Sequence, residues 1–144
     1  MTIVNPSNEP ARDFGISLHV RHPIDDLKLL ASILKLERFR SWKKGEPRKT
    51  PKGTLLEGTS DHSYCCLRVT IVGGELPSAC IERFVAGIET VKAAVLELCE
   101  LKASGGSISL VVTDVGDGGL KDEFNSDLLH AMGRLGINLG LEIG

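Results

Sequence analysis

The sequence predicts an α+β fold: a two-layer sandwich of ferredoxin-like type, with a mostly antiparallel four-stranded sheet and helices on one face. Three observations predict it. Four segments alternate apolar and polar residues with the period of a strand, and three others repeat apolar residues at helical spacing. No strand is apolar on both sides, so one sheet face packs on helices while the other meets water or a partner. A chain of 144 residues makes one ordinary domain, long enough to bury about 70% of its unfolded surface.

The elements follow in order. Residues 1–13, "MTIVNPSNEPARD", read as a flexible leader, and residues 14–144 as the single domain. "FGISLHVRH" puts Phe14, Ile16, Leu18 and Val20 on one face and Gly15, Ser17, His19 and Arg21 on the other, a strand with one side buried. Pro23 suits a first helical turn and Asp25 and Asp26 complement a helix dipole. Ile24, Leu27, Leu30, Ala31 and Leu34 then predict an amphipathic helix over 24–36.

"RFRSWKKGEPRKTPKG" carries no apolar period and is broken by Gly45, Pro47, Pro51 and Gly53, so it reads as a long exposed loop or an irregular hairpin. "SYCCLRVTIV" is the second strand, with Cys65, Leu67, Val69 and Ile71 inward. A stripe from Ile81 to Cys99 predicts a long helix over about 78–103, N-capped by Ser78, stopped by Gly105 and Gly106, with a break possible at Gly87. "SISLVVTD" is the third strand. "VGDGGLKDEF" is a turn-rich connection, Asn125 or Ser126 caps a short helix that Gly136 ends, and "INLGLEI" is the last strand.

Composition narrows the function classes. An apolar fraction of 42% and a charged fraction of 25% are those of a soluble globular protein. No run of about 18 apolar residues would span a membrane, and the N-terminus lacks the basic and apolar regions of a secretory signal. A cytoplasmic location with reduced thiols is therefore expected. None of the four cysteines stands in a C-x-x-C or a zinc spacing, and Cys65 and Cys66, adjacent in a strand, point to opposite faces. They read as small core residues.

Charge is uneven. The net charge is −2, yet residues 35–52 carry eight basic groups against Glu37 and Glu46, or +6, which leaves −8 for the remainder. A body so acidic repels a polyanion over most of its surface. Sandwiches that bind RNA stack bases on aromatic residues of the open face, and here that face offers only Tyr64. No nucleic acid is expected to bind. Two candidate binding surfaces remain. The open sheet face carries His19, Arg21, Tyr64, Arg68 and Glu142, together with Thr70, Ser109, Thr113 and Asn138; the basic loop carries Arg40, Trp42, Lys43, Lys44 and Arg48.

Catalytic patterns are wanting. His19, His22, His62 and His130 include no i, i+4 pair for a metal. Asp61-His62-Ser63 is contiguous, whereas triads assemble in space. "DVGDGGLKD" lacks the order of a calcium loop, and neither Gly105-Gly106 nor Gly118-Gly119 opens a helix with a Lys. The sequence predicts no enzyme, no metal and no cofactor.

The pieces "ISLHV", "HPIDDLKLLASILKL", "KKGEPR", "KG" and "RLGINLGLEI" together resemble the bacterial family of domain of unknown function 4279, over nearly the whole chain from residue 14. Such proteins often carry a Trp entering the second strand, where this chain has Tyr64. The resemblance brings no reaction and no catalytic residues. It implies that the Gly45–Glu46–Pro47 segment serves the fold or a shared protein contact. Two functions follow as expectations. The first is a non-catalytic cytosolic protein-binding domain, of the kind exemplified by immunity proteins that neutralise a cognate bacterial toxin. The alternative is an ACT-like regulatory dimer that binds a small ligand. The partner is then a protein, such as a toxin, or a second copy of the chain; no membrane is expected.

Overall fold

The structure, a computed structural model, describes residues 14–114 and 121–143. The predicted leader 1–13 and residues 115–120 of the turn-rich connection lie outside the described residues. Five strands form the main sheet: β1 (Phe14–His22), β2 (Glu37–Trp42), β5 (Ser63–Arg68), β6 (Ser107–Asp114) and β7 (Ile137–Ile143), in the order β2-β5-β1-β6-β7. Two short strands, β3 (Pro47–Lys49) and β4 (Leu55–Thr59), pair with each other as a separate ribbon. The helices are α1 (Leu30–Leu34), α2 (Pro77–Glu89), α3 (Lys92–Ala103) and α4 (Ser126–Arg134).

This sheet overturns the expected ferredoxin-like sandwich of four mostly antiparallel strands. It has five strands and is mixed, because β7 runs parallel to β6 while the other pairs are antiparallel. Its fifth member is β2, from the stretch read as a loop. Glu37, Arg38 and Phe39 are exposed and a register shift falls between Arg38 and Arg40, so an edge strand here shows no alternation. The parallel pair follows from α4, which carries the chain back over the sheet between β6 and β7.

The first helix is far shorter than the apolar spacing over 24–36 suggests. His22 Nδ1 accepts the N–H groups of Ile24 and Asp25, which fixes a non-helical turn just where the helix was to begin. The predicted long helix is two helices. The break falls at Thr90–Val91, where Val91 is extended, and not at Gly87, which stays helical. Pro77 occupies the first helical position after Leu76, so Ser78 is no N-cap; its N–H and hydroxyl are held by Asp122. The strand at 63–72 ends at Arg68, which leaves Thr70 and Ile71 outside it. Asn125 caps α4 as expected, accepting from the Leu128 N–H at 2.8 Å.

One core cluster joins the inward rows of the strands to the helices. Leu67, Leu18 and Leu110 lie side by side across β5, β1 and β6 with no exposed surface, under Ile81, Val85, Leu98 and Met132. The helices cover the face that bears this cluster. The other face carries the exposed Gly15, Arg21 and Arg68, but Tyr64 and Cys66 at its centre are buried too, so β5 is buried on both sides, against the expectation of one solvated side.

Candidate functional site

Strand parity and register together decide which residues share the open face. Opposite residues in the register place Trp42, Tyr64, Arg21 and Ser107 in one row across β2, β5, β1 and β6. The next row holds Arg40, Cys66, His19, Ser109 and Asn138, and the one beyond holds Glu37, Arg68, Ser17, Val111 and Gly140. Glu142 sits opposite Thr113 at the far rim.

The centre of the face is a connected network. The His19 ring hydrogen-bonds at both nitrogens, to the Ser17 hydroxyl at 2.8 Å and to the Tyr64 hydroxyl at 2.6 Å. Tyr64 stacks on Trp42 with ring centres 4.5 Å apart, and Trp42 meets the His62 ring edge-on. Three guanidiniums lie over aromatic rings: Arg21 over Tyr64, Arg40 over Trp42 at 4.9 Å and Arg68 over Phe39 at 4.2 Å. Each such contact contributes about 0.5–1 kcal/mol where it is exposed, and it holds a long side chain in place. Among the described residues, no carboxylate forms an ion pair with Arg21, Arg40 or Arg68.

Electrostatics keep this network neutral at its core. Burial pushes the Tyr64 hydroxyl up to about 12, so it stays protonated. Burial first and then Arg21 hold the His19 imidazole below its usual 6.5, with Glu142 opposing them. Since protonation of His19 is easier in the unfolded chain, its contribution to stability is complete above about pH 6.5 and is lost as the pH falls through the lower folded value. The urea midpoint should therefore drop between about pH 7.5 and 5.5. In His19→Gln that drop should be smaller; an equal drop would place the titration elsewhere.

The basic loop does not act as one unit. Arg40 and Trp42 join the open face through β2. Lys43 and Lys44 form the exposed turn into the ribbon, where the Lys44 N–H donates to the fully buried Ser63 hydroxyl at 3.0 Å. Arg48 lies in β3 and donates to the Glu57 carbonyl within the ribbon. The Arg40 guanidinium also donates to the Lys49 carbonyl, tying ribbon to sheet. Beside this junction a cleft of about 290 Å³ opens between the β1–α1 loop and the end of β2, lined by Asp26, Leu27, Lys28, Arg38, Trp42 and Glu46 among others.

The face thus brings together His19, Arg21, Tyr64, Arg68, Arg40 and Trp42, and keeps Glu142 at its rim. The candidate binding residues did not include Ser17, Cys66 or Phe39. Parity alone places the first two; the third needs the β2 bulge. No group of three metal-ligating side chains occurs among the described residues, and no helix of these residues is long and apolar enough to cross a membrane. The cysteines are free; burial pushes the Cys65 thiol up to about 11 and raises Cys80 as well, so neither is a ready nucleophile. Comparison with family models, with curated proteins and with solved structures yields no match to this chain.

Proposed function

We propose that the protein is a non-catalytic binding domain whose open sheet face docks an acidic surface of a partner protein. One observation carries this reading: Arg21, Arg40 and Arg68 are each held over an aromatic ring on one face, with no carboxylate of the described residues paired to them. Arginine donates in a fork that matches a carboxylate, and held this way it loses little freedom on binding. Aromatic residues and Arg are also the side chains that dominate interface energetics. Blocking a toxin through surface complementarity, as an immunity protein does, is the specific form we favour, in the cytosol, where four unpaired thiols are at home. The resemblance to domain of unknown function 4279 adds no reaction to this reading.

The test is capture from host lysate by tagged protein, with the unmodified chain compared with Arg21→Ser/Arg68→Ser. The unmodified chain should retain one stoichiometric acidic protein, and the double variant should lose it by at least about tenfold, because each desolvated charge pair contributes about 1.5 kcal/mol or more. Equal capture by both chains would remove the open face from the proposal. Growth rescue from a toxin encoded beside the gene would then decide the immunity-type form.

The cleft supports a second reading, a regulatory domain that binds a small ligand. Its lining mixes Lys28, Arg38 and Lys43 with Asp26 and Glu46 beside the Trp42 ring, whose buried Nε1 has no hydrogen-bond partner. A mixed-charge pocket with an aromatic wall suits a zwitterion. A thermal-shift screen of amino acids and nucleotides in which none stabilises the protein would eliminate this reading.

A further inference from the structure

The last strand, β7, reads almost the same in both directions: Ile137, Asn138, Leu139, Gly140, Leu141, Glu142, Ile143. Reversed about Gly140, every apolar residue meets an apolar residue, and Asn138 meets Glu142. Such symmetry has no use in the β6–β7 pair, which is parallel and joins Ile108 to Ile137 through Asp114 to Ile143 without a register shift. It matters when a strand faces its own copy across a twofold axis, because residue i of one chain then meets residue j of the other and the reverse.

The other edge of β7 is available for that pairing. Among the described residues β7 pairs with β6 alone, and no further backbone hydrogen bond of these residues reaches 137–143. Proteins commonly blunt such an edge with Lys, Pro, a bulge or a short strand. The opposite edge, β2, has several of these devices: Arg38, Arg40, a register shift and a ribbon tied across by Arg40. β7 has a single charge, Glu142, no proline and no bulge over seven residues. Leu141 is left 62% exposed at this edge, and α4, packed on β7, leaves Leu129 44% exposed. At the centre, Gly140 carries no side chain to hold a second strand away.

We propose that β7 is an interaction surface for a second copy of this chain, which pairs antiparallel and in register about Gly140 to make one continuous ten-stranded sheet. In that register Leu141 packs beside Leu139 of the other copy, and Glu142 faces an amide rather than another carboxylate, so no like charges oppose. The open faces of the two copies then become one surface. This inference stands apart from the proposed partner docking, which uses β2, β5 and β1.

The test is register-specific cross-linking in a Cys99→Ser background, since Cys99 is exposed. Asn138→Cys/Glu142→Cys should give a covalent dimer under mild oxidation, because residue 138 faces residue 142 of the other copy. Asn138→Cys alone should not. Sedimentation of the unmodified chain should show a dimer, and Leu141→Lys, a change at an exposed position that leaves the fold intact by circular dichroism, should sediment as a monomer. A monomer throughout the concentration range overturns the proposal, including the case in which slow amide exchange in β7 shows that another segment of the chain, such as residues 1–13, covers the edge. So does a cross-link that forms as well from Asn138→Cys alone, which would mean a different register or random collision.

Discussion

Gly106→Ala should destabilise the protein by about 3 kcal/mol or more, the upper range for overpacking a close contact, and lower its melting temperature by about 10 °C. A methyl group built at this position lies 2.6 Å from the Leu101 carbonyl oxygen and 3.1 Å from that of Arg21. Both are backbone atoms and cannot swing aside. The end of α3 is docked here onto the end of β1: the Gly106 N–H donates to Leu101 at 2.7 Å, and the buried His22 bonds the Ser104 hydroxyl at 2.8 Å. Separating the two elements to make room would strain those bonds as well. Gly105→Ala is the natural comparison. Its φ of +98° makes alanine unfavourable, but the added methyl group meets only the flexible Pro23 ring at 3.5 Å, so the cost should be about 1–2 kcal/mol. Chemical denaturation of both variants checks the order; equal losses would show that backbone conformation, not close approach, governs this junction.

Leu18→Ala should cost about 3–4 kcal/mol. Leu18 has no exposed surface, stands in the middle strand of the sheet and is flanked by Leu67 and Leu110, themselves fully buried. Truncation leaves a cavity walled by two rigid strands and the helical layer, where collapse is hardest. Leu141→Ala, on the same type of residue at an exposed edge position, should cost less than about 1 kcal/mol in the monomer. Equal costs for the two would mean that the core is not organised around the β5-β1-β6 row.

These two sites differ in how far they could be read from the chain. Leu18 was legible because its strand is half buried, so burial writes a period of two into the sequence. The same period put His19, Arg21, Tyr64 and Arg68 on the open face. β2 was not legible, since an edge strand with exposed residues and a bulge leaves no such trace. With β2 unseen, Trp42 and Arg40 belonged to a loop, and their stacking onto Tyr64 was out of reach. Gly106 read as a helix stop; that its lack of a side chain admits two carbonyls depends on where α3 meets β1. The first helix was overestimated because apolar spacing cannot reveal a histidine that captures two backbone N–H groups. The sheet was underestimated by one strand and by one parallel pair, since spacing within a strand says nothing about its neighbours.

The place of β1 in the sheet has a consequence for biosynthesis. Of the described strands it is the first to be made, yet it lies between β5 and β6, which end at Arg68 and Asp114. At about 5–20 residues per second, the second of these partners follows the first strand by roughly 5 to 20 s. For that interval Ile16, Leu18 and Val20 form an apolar row with no completed sheet to enter. Folding of this chain therefore waits for its second half, as expected where the central pairings are far apart in sequence, and the nascent protein offers chaperones a defined segment to hold until β6 arrives.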